Sequence, residues 1–409
     1  MCQKTYPMGE IMRLYGPDFV AKHPCSANVF RAIRDIARCR TGHFGGRKLT
    51  CNCCGHEVVL MNSCGNRNCP TCQAIKKEIW IDKKMVQLLP VRHFHVVFTL
   101  PHELNDLILN NGWDLYNILF RSAWETIKSL CSDEKQLGAE VGMIASMHTW
   151  GSNLSFHPHL HCIVPAGGLG TSDTWKDSKR NGTFFIRVSD LGKTFRRIYL
   201  SNLVQWVDNQ DFDSDTLNEI KALIVLVNAK KWNVNTQAPM AGVKQVVDYL
   251  ARYVYRSAIT NGRILDISDD KVTFKYKKYS DSNSTTEAVP EATLTLAADE
   301  FLRRFVMHIL PPGFQRVRYY GFYGSAAKNK LNNLRNKLAS REWCVTVRSV
   351  CQIVEAFLGY HPDFCPSCGV EKMWVTEKIE PVLFDFPFVK HLSNSIPRPP
   401  PIAAIPPLF

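Results

Sequence analysis

The feature that most constrains this chain is the stretch from Phe156 to Val164, because it contains two histidines that flank one large apolar residue. On a β-strand, residues i and i+2 point to the same face. His159 and His161 would therefore offer two imidazoles to one point in space, while Leu160 packs into the core behind them. Two neutral imidazoles side by side can begin a site for a divalent metal, although an H-x-H triplet alone also occurs by chance.

A second strand-like run, residues 141–150, supplies another histidine, His148. A polar turn separates the two runs, and a hairpin centred near Asn153 would bring His148 opposite His157 or His159. Directly opposed residues of a hairpin share a face. We therefore choose His148 as the third ligand, and His157, which has the same parity, stays open as an alternative.

Residues 244–256 form the second chemically informative segment, because their apolar positions recur at helical spacing. Tyr249 and Tyr253 are four residues apart and would lie on one face of this helix. Gln245, one turn earlier, is another candidate metal ligand. The alternative interpretation is that both tyrosines are rim residues of a packed helix. Taken with the histidines, however, the tyrosines indicate phosphoryl transfer, since a bound ion can polarise a phosphate that a tyrosine hydroxyl attacks in line.

In these segments the chain resembles the HUH-type two-tyrosine rolling-circle transposases of bacterial insertion sequences, which carry an N-terminal zinc-binding domain. The motifs that carry the resemblance are the cysteine-rich run 63–72, His148 to Gly151, His157 to His161, Tyr249-x-x-x-Tyr253 and the run 312–321. These motifs are spread over most of the chain in the expected order, which makes their combination far more specific than any single motif.

The resemblance implies that the chain nicks and rejoins single-stranded DNA at the ends of an insertion sequence through a 5′-phosphotyrosine intermediate. Tyr249 and Tyr253 would be the nucleophiles. His148, His159 and His161 would hold a catalytic Mg²⁺ or Mn²⁺. Two other functions stay open: a plasmid replication initiator or relaxase with the same chemistry, and a zinc-dependent DNA-binding regulator without nuclease activity.

The bulk composition agrees with a nucleic-acid partner. The 50 Lys and Arg residues exceed the 37 Asp and Glu residues and give a formal net charge of +13, and a basic excess of this size suits a polyanion. No signal core is found in residues 1–10 and no apolar run is long enough to span a membrane, so we expect a cytoplasmic protein of the bacterial nucleoid with no membrane partner. There is no phosphate-binding G-x-x-x-x-G-K-[ST] loop, so duplex unwinding would need a host helicase or the replication machinery.

Fifteen cysteines in a reducing cytosol predict metal ligands and buried thiols rather than disulfides. Two C-x-x-C pairs, Cys51 with Cys54 and Cys69 with Cys72, are separated by fourteen residues. This spacing is typical of a tetrahedral zinc site. We therefore predict a structural Zn²⁺ held by these four thiolates, while the number of zinc ions in the chain stays open.

Other cysteines are left outside that site. Cys53 and Cys64 are spare, and Cys39 with His43 is a weaker candidate for a second site. A third knuckle, Cys365–Cys368, has no partner pair along the sequence. It is either half of a lost site or a pair that meets other thiols in space.

The predicted fold class is α+β, with an antiparallel sheet and packed helices forming an HUH endonuclease core. We divide the chain into a helical and zinc-binding DNA-recognition domain (1–88) and a catalytic domain (89–260) with an insertion at about 170–240. A β-rich region (261–325) would complete the core or bind DNA. A basic helical region with the third knuckle and a proline-rich tail (326–409) would follow.

Two further predictions concern particular side chains. Arginines alternate with aromatic residues at Arg316, Arg318, Tyr319 and Tyr320, a mixture that suits single-stranded DNA because aromatic faces stack on bases and arginines bind phosphate. The alternative is a strand with an aromatic core face. The pair at 93 and 95 is interpreted as structural histidines, and residues 183–188 are a candidate strand.

Overall fold

The computed structural model describes residues 6–85, 88–240, 246, 257–278, 290–338, 348–370 and 372–382, and it shows a mixed α+β protein with antiparallel sheets. Its helices are α1 (Met8–Lys22), α2 (Ala27–Ala37), α3 (Pro70–Met85), α4 (Asn105–Asn110), α5 (Gly112–Ser132), α6 (Lys179–Gly182), α7 (Val188–Asp208), α8 (Ser214–Ala229), α9 (Ala298–Val306), α10 (Lys328–Leu338) and α11 (Val350–Leu358). Its strands are β1 (Gly46–Cys51), β2 (Glu57–Met61), β3 (His93–Thr99), β4 (Gly142–Trp150), β5 (Phe156–Pro165), β6 (Gly167–Leu169), β7 (Trp175–Asp177), β8 (Val234–Thr236), β9 (Ile264–Ser268), β10 (Lys271–Lys277), β11 (Glu291–Ala297), β12 (Val317–Gly321) and β13 (Met373–Ile379).

A five-stranded antiparallel sheet lies at the centre, with strand order β12-β4-β5-β3-β8. Because side chains alternate along each strand, one face carries Phe98, Met147 and Leu160, which pack with apolar side chains of α5 and α7 such as Leu119 and Phe195 in the largest hydrophobic core. The other face carries the histidines. The helices therefore cover the side of the sheet opposite the candidate site.

The hairpin between β4 and β5 has the predicted form. Its turn is closed by the Gly151 N–H, which donates to the Ser155 carbonyl at 2.9 Å. His148 pairs with His159, and the register shifts between His148 and Trp150. The prediction that His148 lies opposite His157 or His159 is thus confirmed, with His159 as the partner.

A smaller apolar cluster covers one end of the histidine face. It joins Leu89, Ile144, Ile163 and Phe322 with Val246, the one described residue between 241 and 256. Val246 is helical and fully buried. Val246 therefore lies against the sheet on the side that carries the histidines.

The N-terminal helices share their core with a later part of the chain. Ile11 of α1 and Ile36 of α2 are buried in one cluster with Phe274 of β10 and Phe301 of α9. Within the predicted β-rich region 261–325, β9 to β11 and α9 therefore pack on the N-terminal helices, whereas β12 adds the edge strand of the central sheet.

Two local expectations differ from the structure. Residues 183–187 form no strand. Phe185 and Ile186 are buried in the largest hydrophobic core without pairing to another strand, and α7 begins at Val188. The C-terminal region is only partly helical. After α10 and α11, strand β13 pairs with β1 and forms a three-stranded sheet in the order β13-β1-β2. Within the described ranges, no helix combines the length and the apolar character needed to cross a membrane.

Candidate active site and metal centres

Three histidines converge on the open side of the central sheet. His148, His159 and His161 each offer a ligand atom, and these atoms all lie within 4.8 Å of one another. The Nε2 atoms of His159 and His161 are 3.0 Å apart. Two donors in adjacent octahedral positions, each about 2.1 Å from one ion, would be about 3.0 Å apart. All three rings are at least 91 % buried, so the site is sheltered from bulk water.

The remote nitrogen of each β5 ring is held by the protein. The Nδ1–H of His159 donates to the carbonyl of His157 at 2.7 Å. Nδ1 of His161 lies 2.9 Å from Nε2 of His95 on β3, and the side chain of Gln237 hydrogen-bonds His95. Such second contacts fix the tautomer and orientation of metal-binding histidines. With Nδ1 protonated in both rings, the Nε2 lone pairs of both face the common point.

The electrostatics favour neutral rings. Burial, and to a smaller extent the nearby His157, lowers the pKa of His159 to about 4. Burial likewise lowers the pKa of His95 to about 4, which its bond to Gln237 partly opposes. Neutral imidazole is the form that binds metal, so His159 can bind an ion at neutral pH without first losing a proton.

Of the other predicted ligands and the nucleophiles, the described part of the chain contains His157. The ring of His157 lies beside that of His159, with centroids 5.3 Å apart, but it is not part of the three-histidine cluster. His157 contributes its carbonyl instead. Gln245, Tyr249 and Tyr253 lie outside the described residues.

His148 is positioned by an aromatic stack. Its ring lies 4.3 Å from that of Trp150, at an interplanar angle of 17°, and the guanidinium of Arg316 lies 5.5 Å from the Trp150 ring centre. Burial, aided by the charge of Arg67, lowers the pKa of Arg316 to about 10. Arg316 therefore stays charged at neutral pH and contacts the aromatic wall of the site.

The other predicted DNA-contacting residues of β12 divide between the two faces of the sheet. Arg318 lies on the helix-covered side, where its guanidinium is 4.3 Å from the Phe120 ring centre. Tyr320 stacks on Trp124 with ring centroids 5.3 Å apart. Tyr319 packs on the histidine side. The contacts of Arg318 and Tyr320 resemble the alternative interpretation, a strand with an aromatic core face.

The cysteines pair differently from the prediction. Cys69 and Cys72 meet Cys39 and Cys64, which the sequence left outside the site. Their Sγ atoms are 3.5 Å apart for Cys64 and Cys72, 3.6 Å for Cys39 and Cys72, and 3.8 Å for Cys39 and Cys69. Tetrahedral zinc with Zn–S bonds of about 2.3 Å places its sulfurs about 3.8 Å apart. This cluster fits a structural Zn²⁺.

The knuckle Cys51–Cys54 belongs to a different cluster, with the third knuckle Cys365–Cys368. The single four-cysteine site is thus corrected to two clusters. The physical reason is that the two N-terminal pairs sit on separate elements. The first pair closes strand β1, whereas Cys72 lies in the first turn of helix α3.

Two positioning residues of the histidine site, His95 and Gln237, could not be identified from the sequence alone. The sequence indicates only a structural histidine at His95, and no motif includes Gln237. The parity of β3 offered a signal, since Val97 pairs with His161 and His95 lies two residues away on the same face. Recognising it required the register between strands that are about 60 residues apart in the chain.

Comparisons with known proteins agree with this architecture. A family model described as "Transposase zinc-binding domain" matches residues 11–100, and one described as "Putative transposase" matches residues 142–331. The chain is 38 % identical over 347 residues to "Putative transposase y4qJ" of Sinorhizobium fredii, an alignment that covers 83 % of this chain and 85 % of the relative. It is 27 % identical over 354 residues to the transposase for insertion sequence element IS801 of Pseudomonas savastanoi pv. phaseolicola, covering 84 % and 82 %. No solved structure matches this chain.

The zinc-binding module, the histidine-bearing sheet and these matches define a transposase, a protein that acts on DNA. More particularly, the chain belongs to the two-tyrosine rolling-circle transposases of bacterial insertion sequences, which carry an N-terminal zinc-binding domain.

Proposed function

We propose that this transposase nicks and rejoins single-stranded DNA at the ends of its insertion sequence through a 5′-phosphotyrosine intermediate. The observation that carries the proposal is the convergence of His148, His159 and His161 on one point, with Nε2 of His159 and His161 3.0 Å apart. A bound Mg²⁺ or Mn²⁺ would neutralise charge on the scissile phosphate there. The burial and second contacts of the rings hold this donor set in place before DNA arrives.

Tyr249 and Tyr253 are the proposed nucleophiles. They follow Val246, which packs with Ile144 and Ile163 on the histidine face of the sheet. If the predicted helix continues from Val246, the two tyrosines lie about 4.5 and 10.5 Å further along its axis. Ile163, which pairs with Ile144, lies two residues along β5 from His161, a distance of about 7 Å. These lengths support a tyrosine hydroxyl within reach of the histidines.

The proposed reaction exchanges one phosphate ester bond for another, so the energy of the bond is conserved. The tyrosine oxygen attacks phosphorus, a new P–O bond forms, and the bond from phosphorus to the 3′ oxygen breaks. The phenol loses its proton and the leaving oxygen gains one, which frees a 3′-hydroxyl. Rejoining reverses these steps with a 3′-hydroxyl as the nucleophile, so no nucleotide cofactor is needed. A second tyrosine allows a second strand to be cut before the first is sealed, and a host helicase would supply the single strand.

A basic groove at the β8 edge of the central sheet, between that strand and α7, supports single-stranded DNA as the substrate. It has a volume of about 810 Å³ and runs along the edge strand β8. Its lining includes Lys193, Arg196 and Lys231, together with Thr99, which pairs opposite His159. The described part of this lining has no acidic side chain. A phosphate backbone in the groove would therefore meet positive charge at this edge of the sheet, where β3 separates β8 from the histidines of β5.

The test is cleavage of labelled single-stranded oligonucleotides that span the element's ends, with and without Mn²⁺. We expect metal-dependent nicking and a covalent protein–DNA adduct in the wild type, and loss of both in the Tyr249→Phe/Tyr253→Phe double variant. The single variants report whether one tyrosine suffices. Tyr255→Phe is the matched control, since Tyr255 lies off the predicted tyrosine face.

Three outcomes would contradict parts of this proposal. An adduct that survives in the double variant would move the nucleophile elsewhere. Nicking of a cognate plasmid origin in place of the element's ends would favour a replication initiator or relaxase, although the relatives named above are transposases. Tight DNA binding without cleavage under any metal would favour a DNA-binding regulator.

A further inference from the structure

We propose that Cys51, Cys54, Cys365 and Cys368 form a second zinc site, which fastens the C-terminal segment 364–382 to the N-terminal zinc-binding domain. Two of these ligands lie outside both segments matched by the family models, 11–100 and 142–331. The inference is independent of the DNA chemistry proposed above, because it concerns how the two ends of the chain are joined.

The sulfur geometry is that of a tetrahedral zinc site. Sγ of Cys51 lies 3.7 Å from Sγ of Cys368, and Sγ of Cys54 lies 3.6 Å from Sγ of Cys365. Tetrahedral zinc thiolates place their sulfurs about 3.8 Å apart, whereas a disulfide needs about 2.05 Å. Cys51 and Cys365 are buried, and Cys54 is exposed. The site therefore lies just beneath the surface, where an ion can be loaded and removed.

The two knuckles have the same local structure. Each C-x-x-C is followed by a glycine in the left-handed region, Gly55 at φ +70° and Gly369 at φ +68°. Each glycine N–H donates to the carbonyl of the first cysteine, at 2.9 Å to Cys51 and 2.8 Å to Cys365. In the second knuckle the N–H of Ser367 also points at Sγ of Cys365, 3.4 Å away. Two matching knuckles that face each other form a complete four-thiolate set.

The surrounding sheet has little apolar burial to hold it. Five of the seven residues of β13 are exposed, including Trp374 at 56 % and Val375 at 58 %. Its partner β1 is buried only at its two ends, Gly46 and Cys51. A three-stranded sheet without a hydrophobic face is marginal in water. A metal that joins its strand ends can supply the missing stability, as in other small metal-bound modules.

The experiment counts zinc in the purified full-length protein by inductively coupled plasma mass spectrometry. We expect two zinc ions per chain in the wild type and one in Cys365→Ser/Cys368→Ser. The Cys53→Ser variant should keep two, because that thiol neighbours the knuckle but is not one of the four ligands. A wild type with one zinc, or a 365/368 double variant that still holds two, would overturn the proposal.

Hydrogen exchange distinguishes loss of the second zinc site from misfolding of the whole chain. In the 365/368 double variant, the amides of β13 should lose their protection while those of β4 and β5 keep theirs. Loss of protection throughout would indicate misfolding, and Gly369→Ala then provides the test.

An added Cβ at Gly369 meets no atom within 4 Å, so only its positive φ is strained. We expect a chelator to remove one of the two zinc ions from Gly369→Ala about five- to thirty-fold faster than from the wild type. Gly262→Ala is the control, because Gly262 has equal space for a Cβ and no positive φ, and its zinc release should not change. Unchanged release from Gly369→Ala would also contradict the proposal.

Discussion

Replacement of His95 tests whether the histidine cluster is built for a metal. Nε2 of His95 lies 2.9 Å from Nδ1 of His161 in a buried environment. In His95→Phe, the Nδ1–H of His161 loses its acceptor, and an unsatisfied buried donor costs about 1–3 kcal/mol. The ring of His161 can avoid this cost by moving its proton to Nε2, but that nitrogen then cannot bind metal. We therefore expect the affinity for Mn²⁺ to fall about 10- to 100-fold.

The assay is the Mn²⁺ dependence of oligonucleotide cleavage, alongside direct titration of Mn²⁺ binding by calorimetry. The half-saturating Mn²⁺ concentration should rise in His95→Phe, whereas the rate at saturating Mn²⁺ should approach that of the wild type, because His95 contacts His161 rather than the substrate. His95→Gln restores an acceptor and should recover most of the affinity. A purely structural role would not give this rescue.

The matched control is His93→Phe, on the same strand and the same face. Nε2 of His93 lies 2.9 Å from the hydroxyl of Tyr323, away from the cluster. This variant should lose stability without a change in Mn²⁺ affinity. Equal Mn²⁺ affinity in His95→Phe and the wild type, or equal weakening in both the 93 and 95 variants, would refute the reasoning.

The remaining predictions test the third ligand, the groove and the acid limit of stability. His157→Ala keeps its carbonyl and should cleave within a few-fold of the wild type, whereas His148→Ala should cleave at least about 100-fold more slowly; the reverse order in the oligonucleotide assay would exchange their roles. Lys193→Ala should lower the slope of log affinity for single-stranded DNA against log salt by about one. Lys221→Ala, which changes an exposed lysine of α8 outside the groove lining, should not. Equal slopes for the two variants, measured by fluorescence anisotropy, would exclude the groove. Burial lowers the pKa of His93 to about 4, below its unfolded value of about 6.5, so the unfolded state binds more protons and stability falls as the pH falls. Between pH 7.5 and 5.5 this loss is about 1 kcal/mol, and urea unfolding of the wild type and His93→Phe should show their difference in unfolding free energy shrinking by about that amount.

The parts of the site that are local in sequence could be predicted from sequence alone. His159 and His161 share a face because strand side chains alternate, and a five-residue turn fixes the register that brings His148 opposite His159. Both facts need only residues 148–161. His95 could not be assigned in this way, because its contact with His161 depends on the pairing of β3 with β5, and no short turn joins those strands.

The cysteines illustrate the same limit and a signal that the sequence did contain. The knuckles Cys51–Cys54 and Cys365–Cys368 are each followed by a glycine, Gly55 and Gly369, and these two knuckles share a cluster. The pair Cys69–Cys72 is followed by Gln73 and meets Cys39 and Cys64 instead. A glycine after C-x-x-C permits the left-handed residue that closes such a knuckle. Spacing alone favoured the nearer pair, because the true partner is more than 300 residues away.

This long-range pairing changes how the chain divides into structural units. Strand β13 adds to the sheet of β1 and β2, and the N-terminal helices share a core with Phe274 and Phe301. The N-terminal module is therefore completed by two later segments, one through apolar burial and one, as proposed, through zinc. A fragment that stops at residue 100 would expose the apolar faces of α1 and α2 and lack two of the four thiolates. A fragment used to compare DNA recognition with zinc content must consequently extend from α1 to β13.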